Sequence, residues 1–180
     1  LMGKLKKGYV QIYTGNGKGK TTAAVGLAVR AAGDGYKVYM LQFLKGGNTG
    51  ELEIGKLLSP NFQIFRFEKP RGFVWTLNEE EKKELKKEIQ EAYNFALKVI
   101  KNRECDILIM DEVMATLYNN FLTEKDVIKL IEEKAEDMEL ILTGRNASES
   151  LIERADLVTE MKDIKHYFNQ GVMAREGIEY

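Results

Sequence analysis

The stretch Thr14-Gly15-Asn16-Gly17-Lys18-Gly19-Lys20-Thr21-Thr22 decides how this chain is read. It directly follows the apolar and β-branched run Tyr9–Thr14 and opens a helical stretch. A glycine-rich turn between a strand and a helix is the setting of a P-loop, whose backbone N–H groups cradle phosphate oxygens. Glycines at 15, 17 and 19 let the backbone curl around an anion without Cβ clashes. Lys20 then places a cation on the phosphates, and the Thr21 hydroxyl is the expected Mg²⁺ ligand. The usual pattern has glycine where this chain has Thr14, so the match is one residue short, and a plain glycine-rich turn is the alternative. Binding of a nucleoside triphosphate is the strongest single inference from the residues.

Outward from this loop, short apolar runs alternate with longer helical patterns. The strand candidates are 9–14, 37–44, 62–67, 106–110, 139–143 and 157–161. Several are nearly continuous apolar runs, as expected of strands covered on both faces of a parallel sheet. The clearest helix is 79–101, where Leu85, Ile89, Tyr93, Ala96 and Ile100 share one face, with Thr76 and Glu79 at capping-box spacing. A second helix follows Thr123, an expected N-cap, with Val127, Leu130, Ile131 and Lys134 on successive turns. This alternation predicts an α/β fold with a mostly parallel sheet, in which ligands bind beyond the carboxyl ends of the strands.

Composition narrows the class. The chain has 180 residues, 44% hydrophobic and 31% charged, with a net charge of −1. That suits one domain spanning 1–180, large enough to hold a core without staples. The single cysteine, Cys105, excludes an internal disulfide and reads as a core filler, as do the seven methionines. Near-neutral charge argues against a nucleic-acid partner, and no apolar run is long enough to span a bilayer. No signal-peptide pattern opens the chain. Lys4, Lys6 and Lys7 form a short basic arm, most simply a solvated one. The expectation is a soluble protein of a reducing compartment.

Three further groups carry chemistry. Asp111 and Glu112 follow the apolar run 107–110, where an acidic pair resembles the metal-side element of a P-loop protein, although carboxylates also suit an ordinary helix start. Arg30, two and a half turns past Thr21, either reaches phosphate from the side or is a surface residue. Arg145, after the run 139–143, suits either γ-phosphoryl transfer or transfer of another part of ATP, and its position does not decide between them. Along the connection 68–78, Phe73 and Trp75 alternate, so an extended loop would put both rings on one side as a flat apolar ligand surface; core filling is the alternative. His166, the only histidine, reads as a hydrogen-bonded structural residue. These features leave three uses of the triphosphate open: γ-phosphoryl transfer by a kinase or ATPase, a non-catalytic nucleotide switch, and transfer of another electrophilic part of ATP.

The chain resembles the P-loop type of ATP:corrinoid adenosyltransferases. The resemblance rests on TGNGKGKTT (14–22), QFLKG (42–46), GFVW (72–75), Asp111-Glu112, TGR (143–145), Ala155-Asp156, Lys165-His166 and the ending Gly171–Tyr180. In this order the motifs cover nearly the whole chain, and the family also has threonine where Thr14 stands. The resemblance implies a three-layer, P-loop NTPase-like (RecA-like) fold with a mostly parallel six-stranded sheet flanked by helices. It implies transfer of the 5′-deoxyadenosyl group of ATP to the cobalt of a reduced corrinoid, with triphosphate as the other product. Mg²⁺, a cytoplasmic homodimer and a reduced flavoprotein as electron donor are further implications. Lys18, Lys20, Arg30 and the amides of 15–20 would stabilise the leaving triphosphate, with Thr21 the direct metal ligand, Glu112 at the metal or the ribose, and Asp111 at the metal behind the direct ligands. Phe73 and Trp75 would cover the lower face of the corrin and displace its lower axial base. Many family members carry a longer amino-terminal segment over the neighbouring subunit's site, so a lid here would come from Leu1–Gly8 or from elsewhere.

Overall fold

A computed structural model of the protein describes residues 5–180; Met2 and Lys4, and half of the Leu1–Gly8 segment, lie outside the described residues. In chain order the elements are β1 (Val10–Thr14), α1 (Lys20–Gly33), β2 (Val38–Gln42), α2 (Gly50–Leu57), β3 (Phe62–Phe65), α3 (Glu79–Asn102), β4 (Ile107–Asp111), α4 (Val113–Tyr118), α5 (Glu124–Glu133), β5 (Glu139–Thr143), α6 (Glu149–Ile152) and β6 (Leu157–Glu160). The six strands form one sheet in the order β3-β2-β4-β5-β1-β6, and every pairing is parallel.

Strand alternation makes the three layers. Val10, Ile12, Leu41, Leu108, Met110, Leu140 and Leu142 point to one face, where α3 and α5 bring Leu85, Ile89, Tyr93, Val127 and Leu130. Their neighbours Tyr13, Val38, Met40, Ile107, Ile109 and Ile141 point to the other, against the alanines of α1 at 24, 28, 31 and 32. Alanine there lets α1 lie close on the sheet, which brings its first turn against the strand ends. β5 lies between β1, which leads into the glycine-rich loop, and β4, which ends in Asp111. That inserted strand is the mark of the RecA-like arrangement expected above.

Three expectations are corrected in detail. The capping box of α3 is Asn78 with Glu81, not Thr76 with Glu79. Thr76 is unavailable because its hydroxyl donates to Phe73 O at 2.7 Å within a 3₁₀ turn, Val74–Thr76. The helix after Thr123 is capped as expected, by Thr123 and Asp126, but ends at Glu133, so Lys134 lies beyond it. Met173 is exposed rather than core-like, whereas Met40, Met110, Met114 and Met138 are buried. Cys105 is in the core, and burial pushes its thiol up to about 12.

Candidate active site

The glycine-rich loop is held from inside and outside. Inside, Lys20 is buried, and its Nζ donates to Gly15 O and Gly17 O, each at 2.8 Å. Burial pulls its pKa down, while the Glu112 carboxylate pushes it up. Outside, the chain leaving β6 lies on the loop: Gly17 N donates to Met161 O at 2.7 Å and Met161 N to Thr14 O at 2.8 Å. The closeness explains two glycines. A Cβ at Gly15, where φ is +99°, would fall 2.3 Å from Met161 O, and one at Gly17 would fall 2.7 Å from Lys162 O. Thr14 is buried and its Oγ1 accepts from Ala147 N at 3.2 Å; Asn16 is exposed.

The loop's helix leads to the acidic pair. Thr21 Oγ1 donates to Asp111 Oδ1 at 2.8 Å, and so does Thr143 Oγ1 from the end of β5, also at 2.8 Å. Thr143 in turn accepts from Glu112 N at 2.9 Å. Its hydroxyl thereby fixes the turn in which Glu112 adopts left-handed backbone, φ +64°. Asp111 is fully buried. The Glu112 carboxyl is raised by burial and by Asp111 beside it. Thr21 and Asp111 present hard oxygens at the head of the phosphate loop. Among the described residues no cluster of three or more metal-ligating side chains occurs. A pair of protein oxygens beside a phosphate site fits Mg²⁺, which keeps much of its shell as water and phosphate oxygens.

From the loop a cleft of about 1280 Å³ runs past 44–47 to 72–75, with the chain end at 177–180 along its side. Lys18, Gly19, Lys20, Thr21, Thr22, Glu112 and Arg145 line one end. Phe73 and Trp75 stand at the other, 68% and 78% exposed, with ring centroids 4.5 Å apart and planes 4° from parallel. The rings are on one side, as expected, but a 3₁₀ turn rather than an extended loop puts them there. The core-filling alternative is excluded by their exposure. Their connection is anchored to α3 by ion pairs of Arg71 with Glu88 and Glu84. Lys18 Nζ donates to Ile178 O at 3.2 Å, so the carboxyl-terminal residues lie over the phosphate end.

Arg30 is the residue the structure does not bring in. It sits in the last turn of α1, exposed and away from the cleft, because ten residues of helix at about 1.5 Å each carry it some 15 Å beyond Lys20. His166 is structural, as expected: its Nδ1 accepts from Phe168 N at 3.1 Å and caps a 3₁₀ turn. Sequence reasoning gave no role to Thr143 as a hydrogen-bond donor to Asp111 or to Gln42, and it missed Arg66 and Glu68 altogether. Gln42 and Thr143 stood inside quoted motifs; strand-end polar residues interrupting apolar runs were the available signal.

A family model, ATP:corrinoid adenosyltransferase BtuR/CobO/CobP, matches residues 6–180. The chain belongs to the ATP:corrinoid adenosyltransferase family. The corrinoid adenosyltransferase of Escherichia coli K12 is 34% identical over 176 residues, covering 97% of this chain and 87% of the relative. That of a Sinorhizobium species is 35% identical over 178 residues, covering 97% and 81%. Solved structures share the fold alone. The flagellar accessory protein FlaH of Methanocaldococcus jannaschii gives a TM-score of 0.55 at 18% identity, covering 87% of this chain and 72% of that one. EssC (ATPases 2 and 3) of Geobacillus thermodenitrificans gives 0.51 at 15%, covering 96% and 35%. Family membership makes the protein an adenosyltransferase of cobalamin biosynthesis and disfavours the kinase, ATPase and switch readings. Among the described residues no helix is long and apolar enough to cross a membrane.

Proposed function

We propose that ATP and a reduced corrinoid meet in this one cleft, with the triphosphate on the glycine-rich loop and the corrin against Phe73 and Trp75. The observation that carries the reading is the two-ended cleft, a cationic cradle at one end and a bare aromatic pair at the other. Its volume of about 1280 Å³ exceeds the range of roughly 300–1,000 Å³ usual for a single small ligand. In the reaction, the lone pair of cobalt(I) forms the bond to C5′. The C5′–O bond breaks, and its electron pair leaves with the triphosphate. Cobalt(I) is the nucleophile, so the chain's tasks are alignment and stabilisation of departing charge.

Those tasks distribute over the residues in hand. The amides of Gly15–Lys20 other than Gly17 N, which Met161 O takes, face the triphosphate together with Lys18 and Lys20, and Arg145 adds a cation from the end of β5. Thr14 and Asn16 shape the loop, and Thr22 continues it into the cleft. Thr21 and Asp111 would hold Mg²⁺, Asp111 through water, and Glu112 serves either the metal or the ribose. Bound there, Mg²⁺ supplies positive charge to the leaving group. Arg30 has no place in this reading, since it lies outside the cleft. Phe73 and Trp75 displace the lower axial base of the corrinoid, which makes cobalt(II) easier to reduce, and their apolar surface keeps water from the vacated position. The electron comes from a reduced flavoprotein. Residues 1–180 act as one cytoplasmic adenosyltransferase domain in a homodimer.

The test is direct. Protein, MgATP and chemically reduced cobalamin are mixed without oxygen, and the visible spectrum is followed. Replacement of the cobalt(I) band by a light-sensitive alkylcobalamin, with one triphosphate released per turnover, is the expected result. Release of orthophosphate, or an unchanged spectrum with this and with biosynthetic corrinoids, would overturn the reading.

A further inference from the structure

Across the carboxyl edge of three adjacent strands runs a file of polar side chains. Gln42 ends β2 and is paired in register with Asp111 at the end of β4. Arg66 follows Phe65, the last residue of β3, which pairs with Leu41. At this level the Arg66 guanidinium donates twice to Gln42 Oε1, from Nε at 2.8 Å and from Nη2 at 2.6 Å. Gln42 Nε2 donates onward to Asp111 Oδ2 at 3.2 Å and to Glu51 Oε1 at 3.0 Å. The amide can sit only this way round, because guanidinium offers donors alone and carboxylates accept alone. Gln42 is 3% exposed and Asp111 fully buried, so both bonds are made away from bulk solvent.

The two oxygens of Asp111 are therefore unequal. Oδ2 is taken by Gln42 and by Lys45, whose Nζ lies 3.5 Å away. Oδ1 is left facing the hydroxyls of Thr21 and Thr143. Arg66 uses two further N–H groups on Thr49 Oγ1, at 2.7 Å, and on Gly47 O, which ties the wall segment 45–49 to the same guanidinium.

We infer that Arg66, acting through Gln42, is a positioning residue that turns Asp111 Oδ1 toward Thr21 and so sets the affinity of the nucleotide-bound enzyme for a divalent cation. The inference rests on the reading of Thr21 and Asp111 as the cation's place. Partners that orient a metal-site ligand typically alter affinity by roughly 10–100-fold when removed.

The experiment measures ATP affinity by calorimetry with no corrinoid present, in EDTA and in excess Mg²⁺. Wild-type protein should bind ATP more tightly with Mg²⁺. Arg66→Met and Gln42→Met should each lose about tenfold or more of that tightening, with affinity in EDTA kept within about twofold. Arg66→Lys, which keeps the charge but lacks the fork, should behave as Arg66→Met. The double variant should be no worse than either single one, the mark of action through a shared partner. Thr49→Val, which removes one of the guanidinium's two ties to the wall and leaves the bonds of Gln42 to Arg66 and Asp111 in place, should keep the full Mg²⁺ effect. If Arg66→Met does not fold, Gln42→Met against Thr49→Val carries the comparison. Full Mg²⁺ tightening in Gln42→Met, or additive losses in the double variant, would overturn the relay. Absence of any Mg²⁺ effect in wild type would overturn the cation site itself, and the relay with it.

Discussion

The two ends of the cleft are built differently. At the phosphate end several polar groups already have protein partners: Lys20 on two loop carbonyls, Thr21 and Thr143 on Asp111, Gly17 N on Met161 O. At the aromatic end Phe73 and Trp75 are mostly exposed and stacked on each other, while the ion pairs of Arg71 hold the turn beneath them. A triphosphate is small and highly charged, so a cradle organised in advance avoids reorganisation when charge develops. A flat apolar ligand needs area rather than direction, and an unfilled stacked pair supplies it. The contrast is between a site finished by folding and a surface finished by its ligand.

The sharpest way to break that contrast is at Lys20. Lys20→Met keeps the stem but removes the ammonium that bridges Gly15 O and Gly17 O. Adenosyl transfer should fall by roughly 10²–10³-fold, the usual cost of one preorganised charge-stabilising donor. Single-turnover rates with cobalt(I) supplied chemically measure it. A loss below tenfold would mean that the prewired loop is not what stabilises the leaving triphosphate.

Between the two ends lies Glu68, whose carboxylate accepts from Leu44 N at 2.9 and 3.0 Å and lines the cleft. Burial raises its carboxyl from the usual 4.5 to about 7, with Glu88 adding to this; the Leu44 N–H, Arg71 and Arg66 oppose. A raised carboxyl pKa means the fold prefers the protonated form. Its contribution is therefore intact below about pH 4.5, where both folded and unfolded chains are protonated, and is lost as pH rises through about 7. The loss above that is at most about 3–4 kcal/mol. Glu68→Gln keeps an acceptor for Leu44 N without the charge. Urea unfolding at pH 5 and pH 8.5 should show wild type losing stability that the variant retains. Parallel pH profiles for the two would sink the assignment.

At the aromatic end, Phe73→Ala and Trp75→Ala should leave MgATP affinity unchanged within about twofold, yet lower activity from a cobalt(II) start by about 10-fold to 100-fold (~1.4–2.7 kcal/mol). Started from cobalt(I), the losses should be much smaller. Equal losses from both starts would place the rings in the transfer step rather than in preparing the corrinoid, and weakened ATP binding would show that the two ends are not separable.

The legible part of this molecule is the part written in local pattern. β4 and β5 are nearly continuous apolar runs, β1 is broken only by Gln11, and the glycine-rich loop is contiguous, so fold and phosphate end could be read along the chain. The partners that set the site were not. Arg66 meets Gln42 across 24 positions, Gln42 meets Asp111 across 69, and Arg71 meets Glu88 across 17. Such pairs leave no periodic trace, because each polar residue looks like any other surface charge until strand order sets it beside its neighbour. Arg30 is the reverse case. Its placement at phosphate came from the resemblance, and helix geometry carries it out of the cleft.

The smallest effect falls just past the aromatic turn. Asn78 starts α3, accepting from Glu81 N at 2.9 Å while Glu81 accepts from Asn78 N at 2.8 Å. Asn78→Ala should cost about 1 kcal/mol, near 2–4 °C in Tm for a chain of this length. The ion pairs of Arg71 reach α3 at Glu84 and Glu88, beyond the first turn, so fraying at the cap should leave the aromatic turn attached. Activity from cobalt(II) at 25 °C should then stay within about twofold, because the lost cap acts on the stability of α3 and not on the rings. A loss matching that of Trp75→Ala would mean that the aromatic end, too, is held in advance by its scaffold, and the contrast between the two ends would be one of degree.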